Sequence, residues 1–273
     1  VTDIQTLIDR QYANGGPFWS RADGDIHAPN GSSTIDTLLV LGELGLSWQD
    51  SPLIAGAVDY VLAYQSSEGS FRYAPASPKL ACLSARILSA LLRLGVSGHE
   101  TEKCFKWLLE TQCMDGGWRC PVVRLGKSPF TDASNPGTTL YVLDAFRFRK
   151  QEKAETERLD LAADFLLQHW ELRRPLGPCN FGIGTRFQKI EYPFLRYNIF
   201  YYVYVLSFYA KARKDRRFLE AYRLLSGKIH GNQVLPENPH PAWQEYNFAR
   251  KGRVSEIASG RWMEIAARMA EER

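Results

Sequence analysis

The chain has 273 residues, 45% of them hydrophobic and 12% aromatic, and a formal net charge of +4. That composition can bury a sizeable core and excludes a disordered chain. So mild a charge over this length leaves no concentrated basic stripe for nucleic acid, and no apolar run reaches the roughly 18 residues of a membrane span, because Arg196 and Asn198 interrupt the best candidate.

In chain order, apolar periodicity and breakers predict helices in pairs. The first pair is Thr2–Tyr12 and Ser33–Leu44, ended by Gly45, with a Gly-, Ser- and Asp-rich loop between them. The second is Pro52–Gln65 and Pro78–Leu94, each opening on a proline suited to a first helical position. The third is Glu100–Gln112 and Gly137–Arg149, and the charged run Lys150 to Arg158 reads as a solvated connection. The fourth is Leu159–His169 and Pro193–Ala212, and the fifth is Arg216–Lys228 and Val254–Met269. Long loops fall inside pairs and short links between them, so consecutive pairs are neighbours. Second helices such as Leu80 to Leu92 and Ile199 to Leu206 are apolar almost all round, as helices buried on every side are. The expectation is all-α: one domain over residues 1–273, about five helical hairpins in an α/α toroid, second helices inside and first helices outside.

One grammar recurs at the loop entrances. Gln112-Cys-Met-Asp-Gly116-Gly-Trp118 is matched by Gln65-Ser-Ser-Glu-Gly69-Ser-Phe71 and by Gln11-Tyr-Ala-Asn-Gly15-Gly-Pro-Phe18-Trp19. A fainter copy begins at Gln168-His-Trp170 with its glycine displaced to Gly177, and offsets of 54, 47 and 56 residues separate the four glutamines. Self-similarity at that period is the mark of stacked helix pairs. The motif resembles the Q-x-x-x-G-x-W repeat of the terpenoid cyclase and protein prenyltransferase superfamily. The stretch Trp107-Leu-Leu-Glu110, Gln112, Asp115-Gly-Gly-Trp118 is similar to the bacterial prenyltransferase/squalene-oxidase-repeat proteins. The resemblance implies an α/α toroid around an apolar cavity that holds an isoprenoid or similar hydrophobic molecule. Related cyclase domains commonly have one pair more.

Cysteines 82, 104, 113, 120 and 179 form an odd set with no paired framework, which suits a reducing interior. The start, Val1-Thr-Asp-Ile-Gln, has neither the basic nor the apolar region of a signal peptide, so the expectation is a cytoplasmic protein. Peripheral membrane contact and oligomeric state stay open.

Four clusters are candidates for chemistry. On the aromatic stretch Tyr192 to Phe208, the residues Tyr197, Tyr201, Tyr204 and Phe208 recur at helical spacing. That face could clasp an isoprenoid chain through its π-clouds or simply pack as core. Tyr192, Arg196 and Tyr197 fall near the expected mouth, and Arg186 and Arg196, flanked by aromatics, suit a ligand with an anionic head and a greasy tail. For an acid, the resemblance implies D-x-D-D, which is absent. Asp132, just before an inner helix, and Asp36, within one, are the candidates, with helix cap or loop turn as the alternative. For metal, the family's D-x-C is absent, and Cys113, Cys120 and Cys179 with His27 or His240 match no compact zinc spacing, so neither metal nor cofactor is expected. Last, Lys211 to Arg217 is a basic turn open to a diphosphate, an acidic lipid headgroup or a nucleic-acid phosphate, or else a solvated helix junction.

There is no P-loop, G-x-G-x-x-G, H-E-x-x-H, G-x-S-x-G or D-D-x-x-D. The leading expectation is a toroid that binds an isoprenoid-like molecule, with turnover open. A polysaccharide lyase or glycosidase, using Arg21, Asp23, Asp25 and His27 beside an aromatic cleft, is a second reading. A non-catalytic scaffold or lipid-binding ring is a third.

Overall fold

A computed structural model describes residues 2–122, 130–179 and 181–271. Two compact units make up the chain, Val1–Thr111 and Gln112–Arg273, the division falling immediately before Gln112 inside the single domain expected. The described residues hold eleven α-helices, one short 3-10 turn and isolated bridges in place of any sheet, an all-α protein.

The N-terminal unit contains α1 (Asp3–Asp9), α2 (Thr34–Glu43), α3 (Pro52–Leu62), α4 (Ala81–Arg93) and α5 (His99–Glu110). Side-chain oxygens of Thr2, Ser33 and Ser51 accept from the first free amides of α1, α2 and α3, the usual satisfaction of an orphan helix donor. Every residue of α2 is buried, and so are ten of the thirteen in α4, because these two pack on each other. Helices α3 and α5 lie against α2 and α4 respectively and bury one stripe each, Ile54, Ala57, Val58 and Val61 on α3 and Thr101, Cys104, Phe105 and Leu108 on α5.

The C-terminal unit repeats that layering with α6 (Pro136–Phe146), α7 (Lys153–Leu172), α8 (Ile199–Leu206), α9 (Ala210–Arg213), α10 (Arg216–Ser226) and α11 (Glu256–Ala270). Helices α6 and α8 are buried along their whole length; α6 packs on α8 and α8 on α11, while α7 and α10 cover them. Two boundaries depart from the pattern-based ones. The run from Lys153 to Arg158 is helix, not connection: Glu152 N donates to Glu155 Oε2 at 3.4 Å, and acidic side chains favour a helix start. The expected helix over Pro193–Ala212 shrinks to α8, because the Asn198 side-chain oxygen Oδ1 accepts from Phe200 N (2.9 Å) and Tyr201 N (3.1 Å) and so fixes the start six residues late.

The glutamine corners explain the layering. Gln65 Nε2 donates to Gly69 O at 3.1 Å and to Glu100 O on α5 at 2.7 Å, while Gln112 Nε2 donates to Gly116 O at 2.7 Å and to Arg158 O on α7 at 2.9 Å. Each glutamine therefore closes its own turn and ties it to the first helix of the next pair. The glycines, at φ +102° and +88°, sit directly on that helix's backbone at Lys103 and Leu161, where a Cβ would collide. The aromatic that follows plunges inward, since Phe71 and Trp118 are wholly buried. Its amide donates to a hydroxyl on the pair's second helix, Phe71 N to Ser84 Oγ (2.9 Å) and Trp118 N to Thr139 Oγ1 (3.3 Å). A corner the sequence pattern does not reveal uses the same bond, Val234 N to Ser259 Oγ at 2.9 Å.

Candidate functional site

A cavity of about 310 Å³ opens in the C-terminal unit. Its aromatic wall is Tyr141 from α6, Phe181 and Phe187 from the loop after α7, and Tyr197 just before α8. Gly182 completes the lining beside a polar side of Arg186, Glu191 and Arg196. The lining is as polar as it is apolar, and a concavity with a few convergent polar groups is a usual form of small-molecule site.

The polar side is held by the loop at residues 237–238. Ile190 N donates to Glu237 Oε2 (2.6 Å), and Glu237 N and Asn238 N donate to Ile190 O at 2.8 and 3.1 Å. Arg196 donates through Nε to Glu191 Oε1 and through Nη2 to Asn238 O (3.1 Å), and Asn238 Nδ2 reaches Glu191 Oε2 at 3.4 Å. Burial pushes the Glu191 carboxyl up, opposed by the charges of Arg196 and Arg186 and by the Asn238 hydrogen bond. Arg186 is exposed, and no salt bridge engages it among the described residues. With one carboxylate against two guanidiniums, the site favours an anion.

The aromatic side is equally fixed. Tyr197 packs edge-on to Phe181 (5.6 Å) and tilted on Phe187 (4.8 Å), and stacks on His169 at 5.8 Å. Its hydroxyl lies 2.9 Å from His169 Nδ1. Burial pushes the Tyr197 phenol well up and lowers the His169 imidazole to about 4. Both are neutral near pH 7.

The structure thus gathers three of the residues singled out from sequence, Arg186, Arg196 and Tyr197, around one cavity. It places the other three elsewhere. Tyr192 is buried against Phe194 and Phe200. Tyr201 donates to Asp144 Oδ2 at 2.8 Å and Tyr204 to Glu264 Oε2 at 3.0 Å. Because Tyr197 precedes the helix cap Asn198, it does not share a helical face with Tyr201 and Tyr204 as the spacing suggests.

Asp36, in the N-terminal unit, is fully buried and ion-paired with Arg86, and it accepts from Gly31 N (2.6 Å) and Ser33 Oγ (2.9 Å). Those partners occupy its carboxyl oxygens inside the packed unit, away from the cavity lining. Asp132 is exposed and pairs with Arg119 at 2.9 Å. In the first loop, Arg21 and Asp23 form an exposed pair, Asp25 accepts from His27 N (2.8 Å), and burial lowers the His27 pKa. Two cations of the basic turn are held in ion pairs: Arg217 meets Asp215 (2.8 Å) and Asp164 (2.6 Å), and Arg216 meets Glu220 (3.2 Å) and Glu171 (3.5 Å). No group of three or more His, Cys, Asp or Glu side chains converges as a metal site among the described residues.

Sequence reasoning passed over Glu191, His169, Phe181 and Phe187. A glutamate five residues before Arg196, in a loop bracketed by aromatics, was the available signal for the first. No helix among the described residues is long and apolar enough to cross a membrane. No protein-family model matches the chain, and no curated protein matches it in sequence.

Proposed function

We propose that this protein is a small-molecule binder of the α/α-toroid kind represented by terpenoid cyclases and protein prenyltransferases, and that its ligand is a short isoprenoid-like molecule with one anionic head. The observation that carries this reading is the cavity itself, with aromatic walls on one side and Arg186 and Arg196 on the other. The repeated corners, each tying one hairpin to the next, support the toroid. Five free thiols support a reducing, cytoplasmic setting.

Size narrows the ligand. A volume of about 310 Å³ lies at the small end of ligand sites. It suits a ten-carbon isoprenoid better than a thirty-carbon one. Binding, not turnover, is the activity the site favours: Glu191, the one carboxylate in its lining, is held by Arg196 and Asn238.

The test is titration with geranyl monophosphate, geraniol and squalene, read by the fluorescence of Trp170, which lies 6.3 Å from Phe187. The expected order is the monophosphate at least about tenfold tighter than the alcohol, a difference of about 1.4 kcal/mol, with squalene excluded. Equal affinity for monophosphate and alcohol would remove the arginines from the site, and no binding of either would end the proposal.

A further inference from the structure

Two thiols far apart in sequence meet beside the start of α6. Cys179 Sγ accepts from Asn135 Nδ2 at 3.4 Å, and Asn135 Oδ1 accepts from Cys179 N at 3.4 Å. The same asparagine caps α6 and donates its own amide to Trp118 O at 2.8 Å, two residues before Cys120. Asn135 thereby ties the segment that carries Cys120 to the one that carries Cys179, and the Cys120 thiol is near enough to help raise the Cys179 pKa. Cys179 is exposed, whereas Cys120 is buried behind it.

We propose that Cys120 and Cys179 are a thiol pair that a hydroperoxide converts, reversibly, into an intrachain disulfide. An oxidant reaches the exposed member, and the buried one is already in place to resolve it. The Cys179 thiolate attacks one peroxide oxygen; the S–O bond forms, the O–O bond breaks, and the departing hydroxide takes a proton to leave as water. The Cys120 thiolate then attacks Cys179 Sγ; the S–S bond forms, the S–O bond breaks, and a second water leaves with the Cys120 proton. Two thiols lose two electrons and the peroxide gains them, and a dithiol reverses the change. The bridge would join the segment after Trp118 to the Leu176–Phe181 corner, whose last residue is part of the cavity wall.

Burial pushes the Cys179 thiol up, partly opposed by the Asn135 amide, so little thiolate exists at neutral pH and reaction speeds up as the medium turns alkaline. Of the three remaining cysteines, Cys104 is buried in the N-terminal unit with its thiol pushed up by desolvation, Cys82 lies in that unit also, and Cys113 is half-buried in the Gln112 corner of the C-terminal unit.

The test uses the reduced full chain, treated with hydrogen peroxide at pH 7.5 and pH 9, alkylated, digested and mapped by mass spectrometry. The expected map contains one Cys120–Cys179 peptide, formed several-fold faster at pH 9, removed by dithiothreitol and absent from Cys179→Ser. Cys179 passing to sulfinic acid while Cys120 stays alkylatable, a bridge to Cys113 instead, or dimers joined through Cys179 would each overturn the assignment. The wild-type map decides the matter even where a variant does not fold.

Discussion

Tyr197 Oη lies 2.9 Å from His169 Nδ1, and the other ring nitrogen, Nε2, lies 3.0 Å from the Arg174 carbonyl oxygen. A carbonyl can only accept, so Nε2 carries the proton, Nδ1 accepts, and the tyrosine hydroxyl donates. This tautomer locks Tyr197 edge-on to Phe181 and gives the imidazole no use for a second proton. Burial holds its pKa at about 4, against about 6.5 in an unfolded chain. Above pH 6.5 the ring is neutral in both states and its contribution is constant. Between 6.5 and 4 the unfolded chain takes up a proton that the folded one refuses, so stability is lost as pH falls, by about 3 kcal/mol at most. Urea denaturation at pH 7 and pH 4.5 should show that loss in the wild type and a smaller one in His169→Gln. Equal losses in both would assign the acid sensitivity to other groups.

Gln112 and Gly116 should differ in what their removal does. Gln112→Ala deletes donors to Gly116 O and Arg158 O, worth about 1 to 2 kcal/mol together. Gly116→Ala places a side chain in the left-handed region and a Cβ 2.6 Å from Leu161 O, a backbone atom that cannot swing aside. Left-handed strain alone is about 1 to 2 kcal/mol, and the collision adds to it. Chemical denaturation should therefore rank Gly116→Ala as the worse of the two. The reverse order would mean that the corner is held by its glutamine and not by close approach.

Legibility followed the range of the interaction. The corners at Gln65 and Gln112 were readable because glutamine, glycine and aromatic lie within seven residues and each does a local job. The corner before Val234 was not, since its defining bond reaches Ser259 and it carries neither the glutamine nor the aromatic. Asn198 is a strong cap, but an apolar run on its far side and a continuous aromatic stretch on its near side hid the boundary. Arg186, Arg196 and Tyr197 stood out as charge among aromatics. Glu191 and His169 did not, because what makes them notable is burial and partners such as Asn238 and Tyr197, which only folding brings near. Tyr201 and Tyr204 show the limit of spacing: their hydroxyls are satisfied by Asp144 and Glu264, acceptors on other helices.

Asp36 and Asp132 invite the same substitution and should answer it oppositely. Asp36→Asn breaks the buried ion pair with Arg86, a loss of about 3 to 5 kcal/mol. Asp132→Asn removes a pair exposed on both sides and should change stability by less than about 1 kcal/mol. Melting and denaturant curves for the two variants give the comparison. A near-neutral Asp36→Asn would mean that the pair with Arg86 does not hold the fold together.

Arg186 and Arg196 flank the same cavity with different commitments, and that separates binding from folding. Arg186 is exposed, so Arg186→Ala should weaken an anionic probe such as geranyl monophosphate about tenfold while leaving the melting temperature unchanged. Added salt should weaken the wild type toward the variant, because an exposed charge is screened over about 8 Å at physiological ionic strength. Arg196 instead holds the buried Glu191 and the Asn238 carbonyl. Arg196→Ala should weaken the probe and also destabilise the fold at pH 7, because it leaves a buried carboxylate without its cation. The Glu191 pKa then rises further, so the folded state holds a proton that the unfolded chain releases above about pH 4.3, and part of the lost stability returns as the medium is acidified toward that value. Calorimetric titration beside thermal melts at pH 7 and pH 5 reads both effects. If Arg186→Ala binds the monophosphate as tightly as the wild type, the anionic head is not at this rim.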